Sequence, residues 1–328
     1  MGRSWNGVTR MSNSRREFLQ SGAALAMGMM GGATVLTTGP GAVAQSALMA
    51  TAVQTAEIQV PKMKFGGVEI SRLLMGCNPF NGGAHFNATY GSLMREWYTA
   101  ERVSEVMHRA NAFGINAMNY TNKGHTPDGW ERFTAEGGIM HLIAHDSSDE
   151  DPAAVAKRLK PLSLHRQGEI VDVAFRNGTM NTVREWCKRV RDTGVLTGVA
   201  THNPAVIALV EEQGWDVDYF AGCVYFRSRN DEEWKKELHG DLMEMPREIY
   251  LQSDPARMYK VMRQTPKPCF AFKILAAGRV GDGGIEQAFR TAFSSIKPTD
   301  GVFVGMFPII RDEVKLNAEI VHRILTGA

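Results

Sequence analysis

His145 and Asp146 close the run HLIAHD, His202 follows LTGVAT, and Lys273 lies inside FAFKILAAG, so the side chains best suited to chemistry here sit in or just after short apolar stretches. Imidazole and carboxylate are suitable ligands for Zn, Mn or Fe. His145, Asp146 and His202, together with His125, are therefore a candidate divalent-metal set that would polarise a carbonyl or activate water. No tight H-x-x-x-H spacing is present, which leaves open that each is a hydrogen-bonded rim residue. An amine amid apolar neighbours loses hydration, which makes Lys273 a candidate base or Schiff-base former; an ion pair with a carboxylate such as Asp146 is the other reading. Arg176 and Arg227 have the fork to clamp a carboxylate or the hydroxyls of a sugar. Asn78, Asn119, Lys123, Asn177 and Tyr225 complete the polar residues that end apolar runs. Of the aromatic residues between runs, Phe80, Phe86, Tyr90, Trp97, Trp130 and Trp234 would stack on a sugar or pack loops down, whereas His165, His239 and His322 read as exposed.

What must position these groups is a repeating unit of short β-branched or apolar runs followed by amphipathic stretches of ten or more residues, the pattern of a parallel sheet with crossover helices. Strands are expected at Arg72 to Cys77, Ala117 to Tyr120, His141 to His145, Ile170 to Phe175, Leu196 to Thr201, Tyr219 to Tyr225, Phe270 to Leu275 and Gly301 to Gly305. Helices are expected at Thr99 to Ala112, Pro152 to Leu159, Met180 to Asp192, Pro204 to Gln213, Asp254 to Gln264, Ile285 to Ile296 and Ile309 to Leu325. Eight strands suffice to close a (β/α)8 barrel, whose functional groups gather at the carboxyl ends of the strands. Long connections after the first and sixth strands, Asn78 to Tyr98 and Phe226 to Ser253, would then lie over that mouth.

The amino terminus is read as an address. Ser14 to Gln20 spell SRREFLQ before the Ala- and Gly-rich SGAALAMGMMGGATVLTTG, and Ala42 and Ala44 offer an A-x-A cleavage site. The paired Arg15 and Arg16 resemble a twin-arginine signal. Residues 1–44 are thus expected to be a cleaved signal peptide recognised by the twin-arginine translocation machinery, 45–64 a flexible lead-in, and 65–328 one barrel domain in the periplasm or outside the cell. Removing 44 of 328 residues leaves 284, a normal length for this architecture. A formal charge of +2 with no long run of one sign argues against nucleic acid as a partner, and nothing after the signal is apolar for long enough to span a bilayer. Cys77, Cys187, Cys223 and Cys269 form no C-x-x-C pair and are expected to be free thiols.

VEISRLLMGCNPFNGG (Val68 to Gly83), GINAMNYTN (Gly114 to Asn122), TGVLTGVATHNPAVIALVEEQ (Thr193 to Gln213), Phe270 to Gly278 and Gly301 to Met306 resemble, in order, segments of the aldo-keto reductases. The resemblance implies an α/β fold of the TIM (β/α)8 type and an NAD(P)-dependent Asp/Tyr/Lys/His tetrad. On this sequence those positions fall on Asn119, on Gly124 or His125, on Asp146 or His145, and on Asn177, so none of the four family residues is retained. The family's phosphate-binding pattern after strand eight is replaced by MFPIIRDEVKLN, where Arg311 and Lys315 remain as phosphate partners or a solvated basic face. The expectation is an enzyme for a small carbonyl or carbohydrate substrate, using Asp146, Lys273, His202, His145, Asn119 and Asn177 for catalysis and Asn78, His125, Arg176, Tyr225 and Arg227 for binding. Its chemistry would be acid/base or metal-assisted, of the lyase, hydratase or isomerase kind. The alternatives are a divergent NAD(P)-dependent oxidoreductase and a non-catalytic binding protein.

Overall fold

Short runs whose residues alternate between two apolar environments become the staves of a closed parallel barrel. The computed structural model describes residues 57–239 and 249–328. The chain enters through an antiparallel hairpin, β1 (Lys62–Phe65) and β2 (Val68–Ser71), then supplies eight barrel strands: β3 (Leu73–Gly76), β4 (Ala117–Tyr120), β5 (His141–Asp146), β6 (Ser163–Arg166), β7 (Leu196–Thr201), β8 (Tyr219–Cys223), β9 (Cys269–Phe272) and β10 (Gly301–Gly305). They pair in chain order, and β10 returns to β3, so no strand edge is left open. This is a (β/α)8 barrel.

Alternation along each strand sorts the wall into two faces. Leu74, Ala117, Ile143, Tyr219, Phe270 and Phe303 point inward to one cluster, while Leu73, Met118, Leu142, Leu164, Phe220 and Val302 face the surrounding helices in another. Full burial of each Val, Leu, Ile, Phe or Met among them stabilises the fold by roughly 1.5–3 kcal/mol. The hairpin seals the amino-terminal end: Phe65 sits edge-on to Tyr219 at 5.2 Å and to Phe270 at 5.1 Å. The end of the expected lead-in, from Lys62, is strand β1, and Met63 belongs to the barrel's inner core. The expected signal segment and most of that lead-in lie outside the described residues.

Outside the strands lie α1 (Ala88–Trp97), α2 (Ala100–Ala112), α3 (Thr126–Ala135), α4 (Pro152–Leu159), α5 (Gly168–Arg176), α6 (Met180–Arg191), α7 (Pro204–Glu212), α8 (Asp231–Leu238), α9 (Asp254–Gln264), α10 (Gly281–Ser295) and α11 (Glu313–Thr326). Asn203 caps α7 by accepting from the Ala205 N–H at 2.9 Å, with Pro204 as the first helical residue. One strand assignment is overturned. Residues 170–175 are helix α5, because their buried positions Val171, Asp172 and Ala174 line one helical face while Val173 is exposed. The fourth strand is the four-residue β6 instead. Both long connections carry helices, α1 and α8. Among the described residues no helix is long and apolar enough to cross a membrane, and the four cysteines are buried free thiols.

Candidate active site

A cavity of about 410 Å³ opens at the carboxyl ends of the strands. Five inward-facing side chains from five different elements define its polar wall. Asn119 on β4 shares the parity of inward Ala117, and His145 on β5 that of Ile143. His165 on β6, the position after outward Leu164, lies deeper. His202 follows β7, and Lys273 follows β9. Asn119 Oδ1 is 3.3 Å from His145 Nδ1, and its amide Nδ2 donates to the Ile143 carbonyl at 3.1 Å, which fixes the oxygen towards the imidazole. The His145 and His165 rings lie 6.0 Å apart, and His165 Nδ1 meets the Tyr219 hydroxyl at 2.9 Å.

His202 is held by a buried carboxylate. From helix α5, Asp172 reaches the end of β7 and is 2% exposed. Its carboxylate accepts from the Thr201 hydroxyl, from the His202 backbone N–H at 3.1 and 3.2 Å, and from His202 Nδ1 at 2.8 Å. A carboxylate can only accept, so Nδ1 carries the hydrogen and Nε2 keeps its lone pair. Arg227 Nη1 stands 3.4 Å from that Nε2, long for a hydrogen bond. Gly168, the first residue of α5, permits this approach: a methyl there would sit 3.3 Å from the imidazole and 3.2 Å from the Thr201 nitrogen.

The electrostatics keep the histidines neutral. Burial pushes His145 down to about 4, with the Lys123 and Lys273 charges adding to the effect and Asp146 opposing it. Burial also lowers His202, against Asp172 and with Lys273 and Arg227, and His165 lies well below the usual imidazole range for the same first reason. Lys273 has φ +62°, a left-handed conformation that costs an L-residue on the order of 1–2 kcal/mol. Ala276 (+48°) and Ala277 (+52°) continue the left-handed turn and Gly278 (+88°) follows without steric cost; Ala277 and Gly278 line the cavity. Such strain clusters where a wall must be shaped for a ligand.

Several expected site residues are placed elsewhere. Asp146, the next residue after inward His145, faces outward, where Ser148, Arg166 Nη1 (3.0 Å) and Trp186 Nε1 (3.2 Å) satisfy its carboxylate. The expected metal set is thereby undone: alternation turns its carboxylate away from the imidazoles, and the described residues contain no group of three His, Cys, Asp or Glu that could hold a metal ion. Nor does Asp146 meet Lys273 as an ion-pair partner would. Arg176 and Asn177 lie on the surface at the end of α5 because the strand assigned there is a helix; Arg176 braces the Ser228 carbonyl at 3.2 Å. His125 precedes α3, and Tyr225 is buried edge-on to Tyr250 at 4.8 Å; both stand outside the cavity wall. Asn78, Asn119, His145, His202, Arg227 and Lys273 do line it. Trp130 and Trp234 pack loops, the latter against the buried Arg229 guanidinium at 4.9 Å.

Three residues in or directly behind the cavity wall escape a reading of the sequence alone. Asp172 is hidden in the strand-like IVDVAF, and His165 in the short SLHR run read as exposed. At the far end of the cavity, Asn317 on α11 is 3% exposed, and its amide has no hydrogen-bond partner among the described residues. That end is also walled by Gly278 and Gly281, in front of which space is open, and by Arg311, paired with Asp282 at 2.8 Å.

No protein-family model matches the chain, and no curated protein does. Among solved structures, a truncated 3-deoxy-D-arabino-heptulosonate 7-phosphate synthase from Thermotoga maritima superposes with a TM-score of 0.51 at 12% identity, over 82% of this chain and 92% of that one. A glycerol dehydrogenase from Gluconobacter oxydans gives 0.41 at 13%, over 80% and 95%. A sugar phosphate isomerase/epimerase from Parabacteroides distasonis gives 0.38 at 12%, over 78% and 98%. At 12% identity the likeness to the first of these is one of fold alone, and it agrees with the closed eight-stranded barrel.

Proposed function

We propose that this chain is an exported enzyme that performs acid/base chemistry on a small carbonyl or carbohydrate substrate, of the lyase, hydratase or isomerase kind. The observation that supports this reading best is the buried Asp172–His202 pair, which leaves one basic nitrogen facing a polar cavity. Catalytic imidazoles are commonly oriented by a buried carboxylate in this way. In the proposed reaction His202 Nε2 takes a proton from carbon beside the substrate carbonyl. Lys273 supplies the cation beside the oxygen on which negative charge develops, while Asn119 holds the neutral His145 ring in place along the cavity wall. An imidazole that stays neutral at pH 7 is available as a base without first losing a proton. The test is exchange of substrate C–H for deuterium in heavy water, followed by NMR across a panel of aldoses, ketoses and sugar acids. His202→Asn is expected to abolish exchange, and full exchange in that variant would exclude His202 as the base. Export rests on the SRREFLQ segment alone; Arg15→Lys with Arg16→Lys is expected to leave the protein in the cytoplasm, and unimpaired export would remove that part.

One observation favours a second reading, a divergent NAD(P)-dependent oxidoreductase. The cavity continues to the loops after β9 and β10, where the buried Asn317 amide offers a donor and an acceptor to a ring edge and Gly278 and Gly281 leave room beside the start of α10. These residues fit a nucleotide, with Arg311 as a phosphate partner, and the cofactor would supply a hydride. Thermal shift with NADPH and NADP tests it: a rise that disappears in Asn317→Leu supports the reading, and no response at millimolar cofactor refutes it.

A further inference from the structure

We infer that the outer end of the cavity, between α1 and α11, is a subsite for a protonated amine, and that the ligand of the barrel mouth is an amino-bearing sugar. The inference goes beyond the proposed chemistry and rests on that reading only for the carbohydrate ring. Three observations carry it.

The first is a helix spacing. Glu313 and Asn317 lie four residues apart on α11, so they share one face of the helix, and both line the cavity. Glu313 Oε2 accepts from the Phe307 backbone N–H at 2.7 Å, which ties the carboxylate to the turn after β10. Its Oε1 has no hydrogen-bond partner among the described residues. Asn317 is 3% exposed, yet its amide is neither bonded to a described residue nor fully enclosed, so it faces the cavity. Leaving such a group unbonded in the interior is costly, and packing alone gives no reason to place it there.

The second observation is the local balance of charge. On the wall formed by the loop after β10 and the starts of α10 and α11, Arg311 and Asp282 pair with each other at 2.8 Å, which leaves the Glu313 carboxylate as the remainder. Burial raises the Glu313 pKa against the Phe307 N–H and the Arg311 charge. A cation brought beside it would favour the ionised form.

The third is what else surrounds these two residues. Tyr90 and Met94 on α1, Phe307 after β10 and Leu316 make the remaining wall apolar and aromatic. The Tyr90 and Phe307 rings meet edge-on at 5.6 Å, and the Tyr90 hydroxyl has no hydrogen-bond partner among the described residues. A carboxylate oxygen, an amide oxygen and a phenol oxygen all accept, and aromatic rings attract cations through their faces. An ammonium group, with three N–H donors and a positive charge, uses every one of these; a carboxylate or phosphate would be repelled by Glu313.

The test is calorimetric titration of the purified protein at pH 7 with D-glucosamine, N-acetyl-D-glucosamine and D-glucose, which share a ring and differ in the group at one carbon. Glucosamine is expected to bind ten-fold or more tightly than either of the others. Glu313→Gln keeps an oxygen for the Phe307 N–H and removes the charge. It is expected to cancel the preference, weakening glucosamine by roughly ten- to a hundred-fold, as loss of a charge-assisted bond would. Asn317→Leu is expected to weaken glucosamine several-fold while leaving the Tm of the free protein unchanged or raised, which loss of a merely structural asparagine would not do. It also carries the test if circular dichroism shows that Glu313→Gln has lost its fold. Equal binding of the three sugars, no binding of glucosamine, or a preference that survives both substitutions would each overturn the inference. So would a thermal-shift response to NADPH that Glu313→Gln removes, because the same groups would then hold a nucleotide. An amine preference without deuterium exchange in the wild type would leave the subsite standing and remove the chemistry, and exchange without the preference would do the opposite.

Discussion

Asp172→Asn is the perturbation that bears most directly on the site. The carboxylate is 2% exposed and accepts from three groups, the Thr201 hydroxyl, the His202 backbone N–H and His202 Nδ1, the last at 2.8 Å. Asparagine has the same shape but replaces one acceptor oxygen with an NH2 donor, so at least one of the three donors must face another donor. Losing one bond to a charged acceptor and orphaning its buried donor destabilises by about 2–4 kcal/mol. In a domain of this size each kcal/mol lowers Tm by roughly 2–4 °C, so a fall of roughly 4–16 °C is expected. The imidazole would also lose the reason for its tautomer, since a bare Nδ1 can accept from the new amide and the hydrogen moves to Nε2. Nitrogen-15 NMR of the imidazole reads this without any substrate: the wild type should show a protonated Nδ1 and a bare Nε2, and the variant the reverse or a mixture. An unchanged tautomer together with a Tm shift below about 1 °C would refute the claim that Asp172 orients the base.

Acid should unfold this protein through its histidines. His145 is held at about 4 by burial, and His165 and His202 are lowered for the same first cause, whereas the unfolded chain protonates near 6.5. Their contribution is therefore complete above pH 6.5 and is lost as pH falls, with His145 alone accounting for up to about 3 kcal/mol by pH 4. Urea midpoints at pH 7.5 and 5 measure the slope, which His145→Asn should flatten; a pH-independent midpoint contradicts the assignment. At Lys273, with φ +62°, Lys273→Gly should be more stable than Lys273→Ala by about 1 kcal/mol, because only glycine relieves the left-handed backbone; a more stable alanine variant would show that no strain resides there. Burial raises all four thiols, with Cys77, Cys187 and Cys269 pushed up to about 12. Ellman's reagent should find no rapidly reacting thiol in the native protein and four in guanidinium, and fast native labelling would disprove their enclosure.

The barrel was legible because seven of its strands are apolar runs bounded by turn residues, and β4, β7 and β10 begin and end where those runs do. The fourth strand was not. SLHR is too short and polar to stand out, while the neighbouring IVDVAF is β-branched yet sits on a helix, where tertiary burial of Val171 and Asp172 outweighs strand propensity. That one misreading displaced two expected site residues, Asn177 and Arg176, and hid His165 and Asp172. The error at Asp146 is of another kind. His145 and Asp146 are adjacent, and which of the two points inward depends on the parity of Ile143 against Leu142, which the sequence leaves open when both are apolar. His202, Lys273, Asn119 and Arg227 were found because polar residues at the ends of apolar runs must lie at a barrel rim. Asn317 gave no signal, since an asparagine in an amphipathic helix reads as solvated.

The hairpin of β1 and β2 makes the cavity blind. With Phe65 wedged between Tyr219 and Phe270 at the opposite end, the barrel is closed there among the described residues, so whatever enters the cavity must leave by the same doorway. A molecule lodged at that entrance would stop arrival and exit alike.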